Sequence, residues 1–169
     1  SLPEVDVFLG TGAFDQIVKA AGEPQFSHQC LLPDPDLIAV REKDSPRDLI
    51  SPHLAYLKVA EGCSKTCTYC IIPKLRGRQK SRPPEDIISE AKRLMAAGVK
   101  ELLLVAQDTT AYGRDLTTPA NLTRLVGDLA VIGDSDQWGN AKPWFRVLYG
   151  HPESIEDSFI DTVASHPNL

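Results

Sequence analysis

An alternation of strand-like and helix-like segments begins near residue 54 and leaves few folds open to the chain. Short apolar runs are followed by longer segments in which apolar residues recur every three or four positions, as on one face of a helix. Repeated strand–helix units build parallel sheets, because a right-handed helical crossover returns the chain to the same sheet. The pattern therefore predicts an α/β fold in which parallel βα units form part of a barrel.

Three βα units are predicted after residue 54. The predicted strands are residues 55–60, 101–106 and 144–149, and the predicted helices are residues 84–97, a helix capped by Thr118, and residues 155–164. The apolar run from Leu102 to Val105 is typical of a strand covered on both faces. Three units make only half of a barrel, so we expect an open sheet edge after the third helix, in a chain that is part of a longer one.

The first 53 residues do not share this alternation. Residues 1–22 contain one predicted strand and one short helix, which are too little to fold alone and indicate the remnant of a preceding α/β domain. Residues 23–53 carry repeated prolines and little periodicity, which predicts an irregular or extended connector. The predicted organisation is therefore a remnant at 1–22, a connector at 23–53 and a barrel segment at 54–169.

Three of the four cysteines lie within eight residues: Cys63, Cys67 and Cys70, spaced C-x-x-x-C-x-x-C. Such clustering suits thiolates that converge on a metal in a reducing, cytoplasmic compartment, because a disulfide scaffold spreads its cysteines along the chain. The motif directly follows a predicted strand, which places it at the carboxyl edge of a barrel, where active sites lie. Three thiolates can hold three irons of a 4Fe-4S cubane and leave the fourth iron open to a substrate. We expect the three thiols to converge even when no metal is bound.

Two other uses of these cysteines remain open. A structural zinc site requires four closed ligands, and Cys30 or His53 would have to supply the fourth. A redox C-x-x-C motif at Cys67 and Cys70 leaves Cys63 without a role. The spacing and the position after a strand favour the iron–sulfur cluster over both.

Charge and hydropathy limit the classes of partner. A formal net charge of −5 argues against a protein built mainly to grip nucleic acid. No apolar run is long enough to span a bilayer, and the first residues show no signal peptide, so no membrane partner is expected.

Basic residues fall at every second position in one stretch: Lys74, Arg76, Arg78, Lys80 and Arg82. In an extended segment they would form one positive face, which by default is solvated and would otherwise be a docking surface for an acidic protein or for RNA.

The residues around the cysteines resemble the radical S-adenosylmethionine (SAM) methylthiotransferases. Tyr69 occupies the aromatic position that precedes the last cysteine of the family's signature, and the similarity extends over residues 56–63, 70–73, 76–77 and 81–83. The resemblance implies an incomplete TIM-like barrel and a 4Fe-4S cluster on Cys63, Cys67 and Cys70. It implies that this cluster binds SAM and cleaves it to a radical that abstracts hydrogen from carbon. A second 4Fe-4S cluster, on an N-terminal domain upstream of this chain, is implied to deliver sulfur.

Residues 106–110, Ala-Gln-Asp-Thr-Thr, resemble the branch of the family that modifies a ribosomal protein. The implied target is the β-carbon of an aspartate in a small-subunit ribosomal protein of the decoding centre. A tRNA adenosine methylthiotransferase is the alternative, although that branch usually carries a Gly-Gln-Asn-like sequence here. The implied partners are the ribosomal protein and a reducing electron donor protein, with nucleic acid met only through the ribosome.

Further side chains are candidates for holding SAM. Gln107 and Asp108 follow the second strand and would hydrogen-bond the SAM amino group, unless they form an ordinary polar turn. Tyr69 would pack near the adenine or shield the cluster, unless it is an ordinary loop aromatic.

The third strand offers weaker candidates. Arg146 and Tyr149 are predicted on opposite faces of that strand, so at most one faces the barrel interior, where Arg146 would pair with the SAM carboxylate. His151 follows the strand and is read as a loop residue rather than an acid or base.

Overall fold

The computed structural model describes residues 4–23, 29–37, 49, 51–139 and 142–169. The chain forms two compact units, a smaller one of residues 1–39 with 62–79 and a larger one of residues 40–61 with 80–169. Most of the predicted connector, residues 24–28, 38–48 and 50, lies outside the described residues. The boundaries 1–22, 23–53 and 54–169 therefore stay predictions.

The smaller unit contains a two-stranded parallel sheet of β1 (Val7–Leu9) and β2 (Gln29–Leu31). A 3₁₀ helix at Thr11–Gln16 follows β1 and leads into α1 (Ile17–Gly22), which confirms the predicted strand and short helix. β2 was not predicted, because a strand of three residues is too short to show any periodicity. The unit also contains the short helix α2 (Ile72–Arg76).

The larger unit is built on a three-stranded sheet, whose first strand is β3 (Leu54–Lys58). Two further short strands, β4 (Ala60–Glu61) and β5 (Lys80–Ser81), pair antiparallel and flank the cysteine segment in sequence. Helix α3 (Pro84–Ala96) then leads to β6 (Glu101–Val105), and α4 (Leu122–Gly133) leads to β7 (Trp144–Val147) and α5 (Asp157–Ser165).

The sheet order is β3-β6-β7, and both neighbouring pairs are parallel. The predicted α/β fold of parallel βα units is therefore confirmed. The register aligns Leu57 with Leu104 and Leu102 with Phe145, and these four side chains are fully or almost fully buried on the face that packs against the helices. Leu103 faces the other way and is also buried, so β6 is covered on both faces as predicted.

Helix starts show where local signals are ambiguous. Pro84, Glu85 and Asp86 occupy the first turn of α3, where proline and acidic side chains are favoured, and the predicted helix is confirmed. The predicted cap of the second helix is wrong. Its cap is Asn121, whose side chain accepts a hydrogen bond from the Arg124 N–H at 2.8 Å. Asparagine and threonine both cap helices well, and here the longer loop before α4 delays the start by a turn.

The alternating basic residues would form one positive face only in an extended segment, and this condition is not met. Lys74 and Arg76 lie on α2, whereas Lys80 lies on β5. Arg82 is 1 % exposed, and it forms an ion pair inside the larger unit. The alternating pattern therefore does not make a single positive face. Among the described helices, none is long and apolar enough to cross a bilayer.

Candidate functional site

Residues 62–79, here called the cysteine loop, lie between β4 and β5 in sequence and are closed at their neck by hydrogen bonds. The Cys63 N–H donates to the Gly77 carbonyl at 3.1 Å, and the Gln79 N–H donates to the Ser64 hydroxyl at 3.1 Å. Farther along, the Arg78 N–H donates to the Asp36 carboxylate at 2.6 Å within the smaller unit. The loop therefore has a fixed neck, and the cysteines follow directly from it.

The thiols of the loop are free. Cys63 is partly buried and Cys67 and Cys70 are exposed, and the Cys70 N–H donates to the Cys67 carbonyl at 3.0 Å. We expected the three thiols to converge without a metal, and this expectation is wrong. No group of three or more cysteine, histidine or acidic side chains among the described residues is arranged to hold a metal ion. Ligand sets of this kind are commonly assembled by the metal itself.

The donor chemistry of the loop nevertheless fits an iron–sulfur cluster. Its only metal-binding side chains are the three cysteines, because residues 62–79 contain no histidine, aspartate or glutamate. Thiolates are the usual ligands of such clusters, and none of these thiols is used in a disulfide or buried in a core. Tyr69, between the last two cysteines, is 90 % exposed, so its ring is available to a ligand.

The neck of the loop depends on a glycine, and Gly62→Ala is expected to open it. Gly62 has a φ of +79°, and an added Cβ would overlap the Arg78 carbonyl oxygen and lie 2.6 Å from that of Gly77. A residue other than glycine pays about 1–2 kcal/mol for this backbone conformation. The overlap would in addition push residues 77–78 away from residue 62. We expect trypsin to cut the complete protein faster at Lys65 and Lys74, as followed by mass spectrometry.

Gly98→Ala provides the matched control for this prediction. Gly98 has a φ of +97°, but an added Cβ would meet nothing within 4 Å. The control therefore carries the conformational cost without the overlap. Equal cleavage of the cysteine loop in the two variants would contradict the role given to Gly62.

A second group of candidate residues lies where β6 and β7 end. Asp108 is 4 % exposed, and the Thr110 hydroxyl donates to its carboxylate at 2.6 Å. The His151 N–H donates to the same Thr110 oxygen at 3.1 Å, and the Thr109 hydroxyl donates to the Leu148 carbonyl at 2.5 Å. These bonds tie the segment after β6 to the segment after β7. They hold Asp108 in one orientation at the carboxyl edge of the sheet.

The remaining candidates are placed differently from expectation. β7 ends at Val147, so Tyr149 lies beyond the strand, with a φ of +62° and an exposed side chain. The prediction that Tyr149 and Arg146 lie on opposite faces of one strand is therefore wrong. Arg146 lies on the face opposite the helices, but its guanidinium binds Glu101 at 2.6 Å and stacks over Trp144 at 5.3 Å. Because Glu101 begins β6, this pairing directs the charge away from the carboxyl edge.

His151 is partly exposed, and its Nδ1 lies 3.6 Å from the Glu153 carboxylate. Gln107, between β6 and Asp108, is partly buried. The structure therefore gathers Gln107, Asp108 and His151 near the strand ends, and it does not bring Arg146 there.

A buried polar network was missed from the sequence. Arg82 binds Glu90 at 2.7 Å and donates to the Lys58 carbonyl at 2.6 Å, with both charged side chains almost fully buried. The Tyr112 hydroxyl donates to the Arg82 carbonyl at 2.9 Å, and burial raises the pKa of Tyr112 well above its usual value. Glu90 could have indicated this network from the sequence, because it lies on the apolar face of α3 with Ile87 and Leu94. A charged residue on such a face is rarely buried without a partner of opposite charge.

The comparisons with known proteins agree with this geometry. Residues 57–134 match the family model described as the Radical SAM superfamily. The radical SAM methyltransferase TsrM of Kitasatospora setae, solved with cobalamin and a [4Fe-4S] cluster, has a TM-score of 0.51 at 18% identity, over 66% of this chain and 20% of its own. The chain therefore shares an α/β fold with this structure over that part of its length.

The chain is also similar to the proteins named ribosomal protein uS12 methylthiotransferase RimO. It is 48% identical to that of Desulfosudis oleivorans over 100% of this chain and 37% of the relative. It is 44% identical to that of Clostridioides difficile over 99% of this chain and 36% of the relative. The chain thus spans little more than a third of the length of the curated relatives it matches.

Proposed function

We propose that the complete protein is a radical SAM methylthiotransferase that acts on ribosomal protein uS12. The observation that carries the proposal is the similarity to uS12 methylthiotransferases, at 41–48% identity over nearly the whole chain, in a segment that contains the three-cysteine loop. The detailed target is the β-carbon of an aspartate of that decoding-centre protein. The protein would act in the cytoplasm, with a reducing protein as electron donor.

Cys63, Cys67 and Cys70 are the proposed ligands of a 4Fe-4S cluster. Their free thiols and the absence of competing ligands in the loop support this role. When bound, the cluster supplies the electron that cleaves SAM to a carbon-centred radical. The loop's contribution is to hold three thiolates and to leave one iron without a protein ligand. A second 4Fe-4S cluster, on the part of the protein not included in this chain, is proposed to deliver sulfur.

Gln107, Asp108 and Tyr69 are the proposed SAM contacts. Asp108 is buried and held by Thr110, so a cationic amino group would meet a carboxylate of fixed orientation. Gln107 offers an amide beside it at the same sheet edge. The exposed Tyr69 ring offers a stacking surface for the adenine. The protein's share of the chemistry is therefore positioning and electrostatics, and the cofactors supply the rest.

The proposal is tested by deleting the gene in its host and measuring both candidate products by mass spectrometry. We expect uS12 to lose its methylthio group, with a mass decrease that maps to one aspartate, and tRNA methylthiolation to stay unchanged. Reintroduction of the intact gene should restore the modification. Loss of a tRNA methylthio group with uS12 unaltered would overturn the proposal in favour of a tRNA adenosine methylthiotransferase.

A further inference from the structure

Residues 80–82 follow the cysteine loop in sequence and belong to the larger unit, where Ser81 forms three hydrogen bonds. Its N–H donates to Asp115 Oδ2 at 2.7 Å, and its hydroxyl donates to Asp115 Oδ1 at 2.6 Å. The same hydroxyl accepts from the Gly113 N–H at 2.9 Å. Both oxygens of the Asp115 carboxylate therefore accept hydrogen bonds from Ser81, which fixes the orientation of the two residues relative to each other.

The segment that receives Ser81 also begins at the proposed SAM site. Residues 109–115 follow Asp108 directly, and the Tyr112 N–H donates to the Thr109 carbonyl at 3.1 Å, which keeps this segment compact. The Tyr112 hydroxyl reaches the Arg82 carbonyl, so the segment contacts the residue after Ser81 as well. Residues 81–82 and the segment after Asp108 are thus joined by several hydrogen bonds, all of them within the larger unit.

We propose that Ser81 and Asp115 are positioning residues for SAM cleavage, a role that rests on the proposed function. Their hydrogen bonds hold residues 109–115, which follow Asp108 directly, and thereby fix the position of Asp108 within the larger unit. A shift of this segment would displace the side chains that are proposed to hold SAM. Small displacements of reacting groups reduce rates steeply, by about a hundredfold for an ångström in unfavourable cases.

Because Asp115 is exposed, its replacement should change local geometry without unfolding the protein. Asp115 is an exposed residue, in contrast to the fully buried Arg82 beside Ser81. Hydrogen bonds of an exposed carboxylate add little to global stability. The two hydrogen bonds from Ser81 to Asp115 still restrict the motion of Ser81. Their loss should therefore change local geometry more than the stability of the fold.

The test uses the complete protein, reconstituted anaerobically, with Asp115→Ala, Asp115→Asn and Ser81→Ala. The measurements are iron content, melting temperature, the electron paramagnetic resonance spectrum of the reduced protein with and without SAM, and the rate of 5′-deoxyadenosine formation. Asp134→Ala is the matched control, because Asp134 is also exposed and binds Lys142 at 2.6 Å away from this segment.

We expect Asp115→Ala to keep its iron and to change the SAM-induced spectrum, with SAM cleavage about tenfold slower. Asp115→Asn should recover most of the rate, because an amide can accept from the Ser81 N–H and donate to its hydroxyl. Ser81→Ala, which keeps only the N–H contact, should lie between them, and it decides the question if Asp115→Ala unfolds. Asp134→Ala should match the unmodified protein.

The outcomes separate this inference from the proposed function. Rates and spectra of Asp115→Ala and Ser81→Ala that equal those of Asp134→Ala would overturn the positioning role while the unmodified protein still cleaves SAM. An unmodified protein that forms no cluster and cleaves no SAM would overturn the proposed function, and the positioning role with it.

Discussion

Single replacement of Cys63, Cys67 or Cys70 by alanine is expected to abolish iron binding and SAM cleavage by the complete protein at this site. Each thiolate would hold one iron, and a cluster left with two protein ligands loses both its anchoring and its defined open iron. Replacement of a residue that only supports a metal ligand typically lowers activity 10–100-fold. Replacement of a ligand itself should lower the rate of SAM cleavage by roughly another order of magnitude. This is the largest functional effect we predict.

Cys30→Ala is the matched control for these variants. Cys30 is also a free and exposed cysteine, but it lies on β2, outside the cysteine loop. We expect it to keep its iron, its sulfide and its electron paramagnetic resonance signal. Because a second cluster is proposed elsewhere, iron should fall by one cluster's share in the loop variants. A full iron content in Cys67→Ala, or stoichiometric zinc in the unmodified protein, would contradict the assignment.

Arg82→Met is expected to cause the largest loss of stability. The guanidinium lies 2.7 Å from Glu90, with side chains that are 1% and 5% exposed, so its removal leaves a buried carboxylate without its charge partner. Breaking such a pair from one side costs about 3–5 kcal/mol, because the remaining charge stays desolvated. Urea denaturation followed by far-ultraviolet circular dichroism measures the change.

Two comparisons establish whether burial is the cause. The double variant Arg82→Met with Glu90→Leu should recover most of the loss, since it removes the stranded charge and leaves apolar groups of similar size. Arg124→Met should cost less than about 1 kcal/mol, because Arg124 and Asp128 form an exposed pair at 4.0 Å. Similar losses in Arg82→Met and Arg124→Met would show that the buried pair has no special importance.

The helices and strands that were predicted correctly have strong local signals. The run Leu102–Val105 required cover on both faces, and the structure buries its centre. Helix α3 combines a favourable first turn with an apolar face, so its start could be predicted from the sequence. The start of α4 could not, because Thr118 and Asn121 are both good caps and only the path of the preceding loop selects between them.

Predictions about side chains succeeded less often because they depended on element boundaries. The opposite faces assigned to Arg146 and Tyr149 required a strand that continues to residue 149, but pairing with β6 stops at Val147. Likewise, the alternating basic residues formed one face only if the segment were extended, and α2 interrupts it. A change of a few residues in an element therefore reverses the direction of a side chain.

The sequence by itself determined the class of fold and the set of thiol donors in the cysteine loop. Apolar periodicity is local, and three thiols within eight residues have few uses, so both could be recognised without coordinates. Only the tertiary structure decided the partners of individual polar residues. Ser81 meets Asp115 across 34 positions, and Arg82 meets Glu90 from outside its helix. Such pairs arise when separate elements pack together, and no spacing along the chain specifies them.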